Sequence, residues 1–196
     1  MDKLSLYVIR HGQTDYNREG RLQGARDIPL NDLGRGQAAA NGKLAALPDF
    51  DADAHDWVAS PLSRTRETME LVRANAGLEP DGYRTDDLLI ELSFGDWEGH
   101  TMGEIELDHP GVDRERDAAK WDFCPPGKGA ESYEMLARRI DGFLETVTGP
   151  SVIVAHGGVI RALFNRIGGI DGNAAAMIDV PQDRILRIDN GKIGWL

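Results

Sequence analysis

Cysteine is almost absent: Cys124 stands alone among 196 residues, which excludes an intrachain disulfide and a thiolate zinc site. Long apolar runs are missing too. The longest, Leu4–Ile9 and Val152–Ala155, are strand-sized and too short to cross a bilayer. No Asn-x-Ser/Thr acceptor occurs, and Met1-Asp2-Lys3-Leu4-Ser5-Leu6 carries no basic leader ahead of a long apolar stretch, so a cytoplasmic location is expected. Positive charge is scarce. Lys and Arg number 22 against 33 Asp and Glu, a formal net charge of −11. Such a field repels phosphate, which argues against nucleic acid or an anionic membrane as a general partner. Any phosphate the chain does bind must be held by a local cluster of cations. What remains is ordinary globular material, 41% hydrophobic and 28% charged. At this length the expectation is one domain over residues 1–196 with a sizeable core.

Leu4 to Ile9 reads as a buried strand that stops at Arg10-His11-Gly12. The stretch to about Leu30 has no period and is long for a loop in a compact domain, which favours a functional role. Asn31 can cap a helix running to about Leu47. Trp57-Val58-Ala59 is a short strand, and Ser63 opens a helix with Met69, Leu71 and Val72 available for its inner side, closed by Gly77. Tyr83 to Ile90 holds a short strand and a loop. Thr101-Met102-Gly103-Glu104 has the capping-box pattern. Asp96 to Ala130 is the least regular region, with Pro125-Pro126-Gly127, and is expected to be a cap-like insertion over the core. Glu131 to Val147 is amphipathic, with Tyr133, Leu136, Ile140, Phe143 and Leu144 at helical spacing. Ser151 to Ala155 is a second buried strand ending in His156-Gly157-Gly158, followed by a helix from Val159 to about Ile167. Ile185 to Ile188 is a late strand, with Ile193 to Leu196 a weaker one. Strands alternating with helices and few hairpin signals predict an α/β, three-layer sandwich: a mostly parallel central sheet, helices on both faces and a small inserted helical and loop region. Ligands of such sheets bind beyond the carboxyl ends of the strands, where both strongest strands place a His.

A lone Arg-His-Gly is more often a strand cap than a site. Here it has company in order along the chain: Val8-Ile9-Arg10-His11-Gly12-Gln13-Thr14 with Asn17, Gly20-Arg21-Leu22-Gln23-Gly24, Pro29-Leu30-Asn31 to Gly34 and Gln37. Then come Ala59-Ser60-Pro61-Leu62-Ser63-Arg64-Thr65-Arg66-Glu67-Thr68, Glu91 with Gly95-Asp96-Trp97-Glu98-Gly99, and Val154-Ala155-His156-Gly157-Gly158-Val159-Ile160-Arg161. Over most of its length the chain thus resembles the histidine phosphatase superfamily, also called phosphoglycerate mutase-like, and among its members the short bacterial phosphatases. Each piece alone is weak; their co-occurrence in order is specific. The segment Pro126-Gly127-Lys128-Gly129-Ala130-Glu131-Ser132 departs from the Pro-Gly-Gly-Glu-Ser common in such proteins.

The resemblance implies a phosphatase that hydrolyses small-molecule phosphate monoesters through a phosphohistidine, without metal or other cofactor. His11 would be the nucleophile, presenting an unprotonated ring nitrogen while the other donates to a fixed acceptor such as a backbone carbonyl. Arg10 and Arg64 would clamp the phosphoryl oxygens through paired hydrogen bonds, and His156, if protonated near the phosphate, would add a third cation. Asn17, Gln23, Gly24 and the Gly157 amide would complete the anion site. Glu91 would protonate the leaving oxygen and then activate water.

A phosphoglycerate mutase-type phosphotransferase is the main alternative, and a non-catalytic phospho-ligand binder ranks below it because no catalytic residue is missing. Cofactor-dependent mutases resemble Glu-Arg-His-Tyr-Gly after the acid, whereas this chain has Glu91-Leu92-Ser93-Phe94-Gly95-Asp96-Trp97-Glu98-Gly99. Apolar and acidic residues replace the cations, which favours hydrolysis of a less anionic ester. Arg114, Arg116, Lys120 and Lys128 are candidate substrate-reading cations, though for any one a solvated surface is the better reading. His55, His100 and His109 read as surface residues with no metal-ligand spacing. The four tryptophans read as core or rim packing, with Trp97 a candidate for the substrate mouth.

Overall fold

The computed structural model describes residues 4–48 and 50–196. Met1–Lys3, part of the stretch read for a leader, lies outside them. Among the described residues six strands form one sheet: β1 (Ser5–Arg10), β2 (Asp56–Ala59), β3 (Arg84–Thr85), β4 (Ser151–Ala155), β5 (Ile185–Asp189) and β6 (Lys192–Trp195), in the order β3-β2-β4-β1-β5-β6. β3, β2, β4 and β1 run parallel, while β5 runs antiparallel to both of its neighbours. In chain order the helices are α1 (Asp15–Glu19), α2 (Asp32–Asn41), α3 (Ser63–Asn75), α4 (Met102–Asp108), α5 (Val112–Ala118), α6 (Tyr133–Thr146), α7 (Gly157–Arg166) and α8 (Gly172–Ala176).

Alternation along the strands divides the core. In β1, Leu6 and Val8 face a cluster with Leu136, Ile140 and Phe143 of α6 and Val159, Ile160 and Leu163 of α7. Tyr7 and Ile9 face the opposite cluster, with Met69 and Val72 of α3. Helices therefore cover both faces, which is why β1 and β4 are continuously apolar. The three-layer α/β sandwich expected from the sequence is the observed fold.

Local differences have local causes. The loop after β1 contains α1, opened by a capping box in which the Thr14 hydroxyl accepts from the Asn17 amide and Asn17 Oδ1 accepts from the Thr14 amide, both at 3.2 Å. α2 stops at Asn41 and continues as a 3₁₀ turn over Gly42–Ala46, where Gly42 packs directly on Asn75 of α3. α7 begins at Gly157, two residues before the expected start, so its first turn opens directly from His156. The segment 96–130 contributes the end of a 3₁₀ turn (Gly95–Trp97) and the helices α4 and α5. The expected capping box at Thr101 is formed with Glu104. Among the described residues no helix is long and apolar enough to cross a membrane.

Candidate active site

β1 and β4 are adjacent and parallel, with Arg10 opposite Ala155, so both strands deliver a His to the same edge of the sheet. The His11 amide donates to the Ala155 carbonyl at 3.0 Å, and the His11 and His156 rings lie 5.2 Å apart between centroids. The His11 side chain turns so that Nδ1 lies 2.8 Å from the Gly12 carbonyl oxygen. A carbonyl only accepts, so Nδ1 carries the proton and Nε2 is left bare. Gly12 itself allows no side chain, because a Cβ would overlap the Gly34 backbone.

Arg10, His11, Asn17, Gln23, Gly24, Arg64, Glu91 and Gly157 line one cavity of about 120 Å³. His156 is fully buried behind it, with Nε2 at 2.8 Å from the Ser60 hydroxyl. Arg64, on the first turn of α3, is also fully buried. It donates Nη1 to Arg26 O and Nη2 to Gly24 O, at 2.6 and 2.9 Å. Arg10 donates Nη1 to Val180 O at 2.6 Å. These acceptors are neutral carbonyls, and among the described residues no carboxylate approaches Arg10 or Arg64 within the 4.0 Å of an ion pair. Burial draws the Arg64 guanidinium down to about 10, which leaves it cationic at neutral pH. Burial also lowers Arg10, helped by the neighbouring charge of Arg161.

Both imidazoles titrate well below the ordinary histidine range, first through burial and then through the guanidinium of Arg64. Neutrality suits a nucleophile at His11. The same depression leaves His156 neutral in the free protein, so its expected role as a third cation would require protonation beside a bound phosphate. Its Nδ1, Arg10 Nε and Arg64 Nε are fully buried and have no hydrogen-bond partner. Unpaired buried donors cost free energy unless an acceptor arrives. The two arginine Nε–H groups belong to residues that line one cavity, whereas His156 Nδ1 donates or accepts according to the tautomer set by Ser60.

The remaining polar groups are held by their neighbours. Asn17 Oδ1 accepts from the Thr14 amide and, at 3.0 Å, from Gln182 Nε2, which orients the amide NH₂ away from both. Gln23 Oε1 accepts from the Thr14 hydroxyl at 2.7 Å. Glu91 receives the Leu92 and Gly158 amides, both at 3.0 Å. Arg139 of α6 grips the carbonyls of Leu88 and Ile90 at 2.7 Å, fixing the loop that presents Glu91. The site can therefore bind a phosphoryl group between guanidiniums, offer it a bare imidazole nitrogen and place a carboxyl group beside it. Among the described residues no group of three or more His, Cys, Asp or Glu is arranged to hold a metal ion.

The sequence profile of the histidine phosphatase superfamily (branch 1) matches residues 6–195. The chain belongs to that superfamily. A glucosyl-3-phosphoglycerate phosphatase of Mycobacterium tuberculosis is 34% identical over 171 residues, covering 81% of this chain and 72% of the relative. The solved structure of a mycobacterial glucosyl-3-phosphoglycerate phosphatase superposes with a TM-score of 0.77 at 28% identity, covering 99% of this chain and 96% of the other. A phosphoglycerate mutase from Thermus thermophilus superposes with a TM-score of 0.72 at 32% identity, covering 94% of this chain and 92% of the other.

In this histidine phosphatase superfamily chain the structure adds residues to the cavity that the motifs leave unassigned. Arg21, Tyr133 and Arg161 line it with Leu22, Leu92 and Phe94. Arg161 lies one helical turn after Gly157, so their shared face was a usable signal. Tyr133 and Gln182 come from distant elements and carried none. The candidate cations of the insertion fall elsewhere. Arg114 lines a separate hollow with Glu106 and Asp113, Arg116 lies 3.9 Å from Asp117, Lys120 reaches the Met177 sulfur and Lys128 is exposed. Trp97 is buried, stacked on Phe123 beside another hollow, and does not line the cavity at His11. His55 is half-buried and packs on Phe50 rather than standing free at the surface.

Proposed function

We propose that this chain is a metal-independent phosphomonoesterase acting on small-molecule phosphate esters, with His11 as nucleophile and Glu91 as general acid and base. The observation that carries the reading is that Arg10 and Arg64, each with a buried Nε–H that has no partner, line one cavity with His11, whose Nε2 is bare. A phosphoryl group supplies the acceptors those donors lack.

His11 Nε2 attacks phosphorus, and the bond to the leaving oxygen breaks. Gly12 O stabilises the imidazolium character that develops as the P–N bond forms, through Nδ1–H. Arg10 and Arg64 hold the equatorial oxygens, with the Asn17 amide and the α7 N-terminus at Gly157 adding donors. Glu91 gives its proton to the leaving alkoxide. A water then enters, Glu91 takes its proton, and the hydroxide displaces His11 from phosphorus to release inorganic phosphate. The 120 Å³ cavity is smaller than the ~300–1,000 Å³ of pockets that enclose a whole ligand, so it takes the phosphoryl group and leaves the rest of the ester at the rim. The segment 96–130 is proposed as a cap-like insertion within one domain, and the cytoplasm as the location, where a lone thiol such as Cys124 stays reduced. Neither nucleic acid nor a membrane is proposed as a partner, given the net charge of −11.

The test is release of p-nitrophenol from p-nitrophenyl phosphate in excess EDTA. Hydrolysis is expected to survive chelation and to vanish in His11→Ala. Loss on chelation, or near-wild-type turnover in the variant, would overturn the reading.

A further inference from the structure

None of the residues of Gly95-Asp96-Trp97-Glu98-Gly99 lines the cavity at His11. Glu98 nevertheless has only 11% of its side chain exposed. Its Oε1 accepts from the Ala25 amide at 3.1 Å, the Ser93 hydroxyl at 3.1 Å and the Phe94 amide at 3.2 Å. Its Oε2 lies 3.8 Å from Arg26 Nε. Three donors on one oxygen suit a carboxylate. A neutral amide oxygen has two lone pairs and less charge, and an NH₂ in place of Oε2 would turn donors toward the Arg26 guanidinium.

That oxygen joins two segments of the site. Ala25 lies in the turn over residues 23–26, closed by the Arg26 amide on Gln23 O at 3.1 Å. The residues flanking Ala25 are Gly24 and Arg26, whose carbonyls receive Arg64 Nη2 and Nη1. Gly24 has a φ of 55°, and a Cβ there would overlap Glu98 Oε1, so the turn is shaped directly against the carboxylate. Backbone bonds lace the same two stretches together, from the Gly99 amide to Leu22 O at 2.8 Å and from the Leu22 amide to His100 O at 2.9 Å. The other segment follows Glu91, and it has further holds: Arg139 on the Leu88 and Ile90 carbonyls and Glu131 on the Ser93 amide. Glu98 is the side chain that receives the Ala25 amide. A shift of this turn moves both acceptors of a fully buried guanidinium at once.

We propose that Glu98 is a positioning residue of the phosphate clamp: it locks the turn at residues 24–26, so that Arg64 is held by both Nη groups and keeps its Nε–H for a phosphoryl oxygen. The inference rests on the phosphatase reading above. Two other roles for Glu98 have different signatures. Action through Ser93 and Phe94 on Glu91 gives a proton-transfer defect that grows with leaving-group pKa. A bare charge effect has the opposite sign, because removing a carboxylate near the anion site weakens the repulsion of phosphate and raises kcat/KM.

The test is kcat/KM for p-nitrophenyl phosphate and for alkyl phosphates in Glu98→Ala, alone and combined with Arg64→Met or with Arg10→Met. The single variant is expected to lose roughly 10–100-fold, by the same factor on both kinds of ester. In the Arg64→Met background the further loss is expected to be less than about twofold, because the group that Glu98 positions is gone. In Arg10→Met the full loss is expected, since Arg10 hangs on Val180 O instead. Glu98→Gln keeps an acceptor at Oε1 and is expected to show the same pattern with a smaller factor; it carries the test if Glu98→Ala does not fold. Equal further losses in both arginine backgrounds would mean general loosening and would overturn the inference. So would a larger loss on alkyl than on aryl esters, or activity that is unchanged or raised. Failure of the phosphatase reading itself is distinguishable: folded wild type would then release nothing from p-nitrophenyl phosphate, whereas failure of this inference leaves wild type active and changes only the pattern among the variants.

Discussion

A single methyl group at Gly158 separates proton delivery from the rest of the chemistry. Gly158 is the second residue of α7, and its amide donates to Glu91 Oε2 at 3.0 Å. A Cβ built there would overlap Glu91 Oε1 and sit 3.1 Å from Leu136 Cδ2. The helix is locked between the sheet and α6, so the carboxylate is the group that must move. The overlap falls on the far end of a flexible side chain rather than on backbone, so Gly158→Ala is expected to fold. Displacing Glu91 forfeits a charge-assisted hydrogen bond of ~1.5–3 kcal/mol and the position of the proton donor. General acid catalysis contributes roughly 10²–10⁴-fold, or about 3–5.5 kcal/mol of barrier. That loss falls on alkyl phosphates, whose leaving alkoxide needs a proton, and spares p-nitrophenyl phosphate, whose phenolate does not. The assay is kcat/KM across a series of esters with rising leaving-group pKa. The expected result is a much steeper dependence in Gly158→Ala than in wild type, with Glu91→Gln behaving the same way. A uniform loss across the series would refute the role given to Glu91 and the contact that positions it.

Two further outcomes follow from the buried charges. His11 and His156 are depressed below the unfolded value of about 6.5, so above that pH neither affects stability; below it the unfolded chain takes up protons that the folded chain refuses, and stability falls with falling pH by up to ~1.4 kcal/mol per pH unit for each. Urea unfolding between pH 7.5 and 5 is expected to give a shallower pH slope in His156→Asn than in wild type, and an unchanged slope would contradict the burial-driven shift. Inorganic phosphate, binding only the folded site, is expected to stabilise wild type by ~2.7 kcal/mol at a hundred times its Kd. Thermal unfolding of Arg64→Met should lose most of that gain, and an undiminished gain would remove Arg64 from the anion site.

The parts of this molecule legible in the sequence are those where one local pattern suffices. β1 and β4 carry apolar runs because helices cover both faces of the sheet, and their shared His-Gly ending marked the edge where the candidate site forms. α6 was readable from its spacing. α1 was not, since its five residues bury no side chain and show no period; only the capping box at Thr14 betrays it. The β5–β6 hairpin turns at Asn190-Gly191 with φ of 50° and 79°, the left-handed pair of a tight turn. That dipeptide is a local hairpin signal, and the alternation of strands and helices elsewhere in the chain outweighs it in the sequence. Within the site, His11, Arg10, Arg64 and Glu91 sit in contiguous motifs. Tyr133 and Gln182 meet them only through packing of α6 and of the strap before β5, which no spacing encodes. The neutrality of His156 was equally invisible, because it follows from complete burial beside Arg64.

Transfer of the phosphoryl group to His11 Nε2 is the step on which every assigned role depends. The most direct measurement is an alkaline quench within the first turnover, followed by digestion and mass analysis of the peptides. Phosphoryl on an imidazole survives alkali, and the account predicts the mass increment of one phosphoryl group on the peptide carrying His11, absent in His11→Ala and chased away by water in the unquenched enzyme. Steady hydrolysis with no adduct at His11 at any time point, together with inversion of configuration at phosphorus, would contradict it.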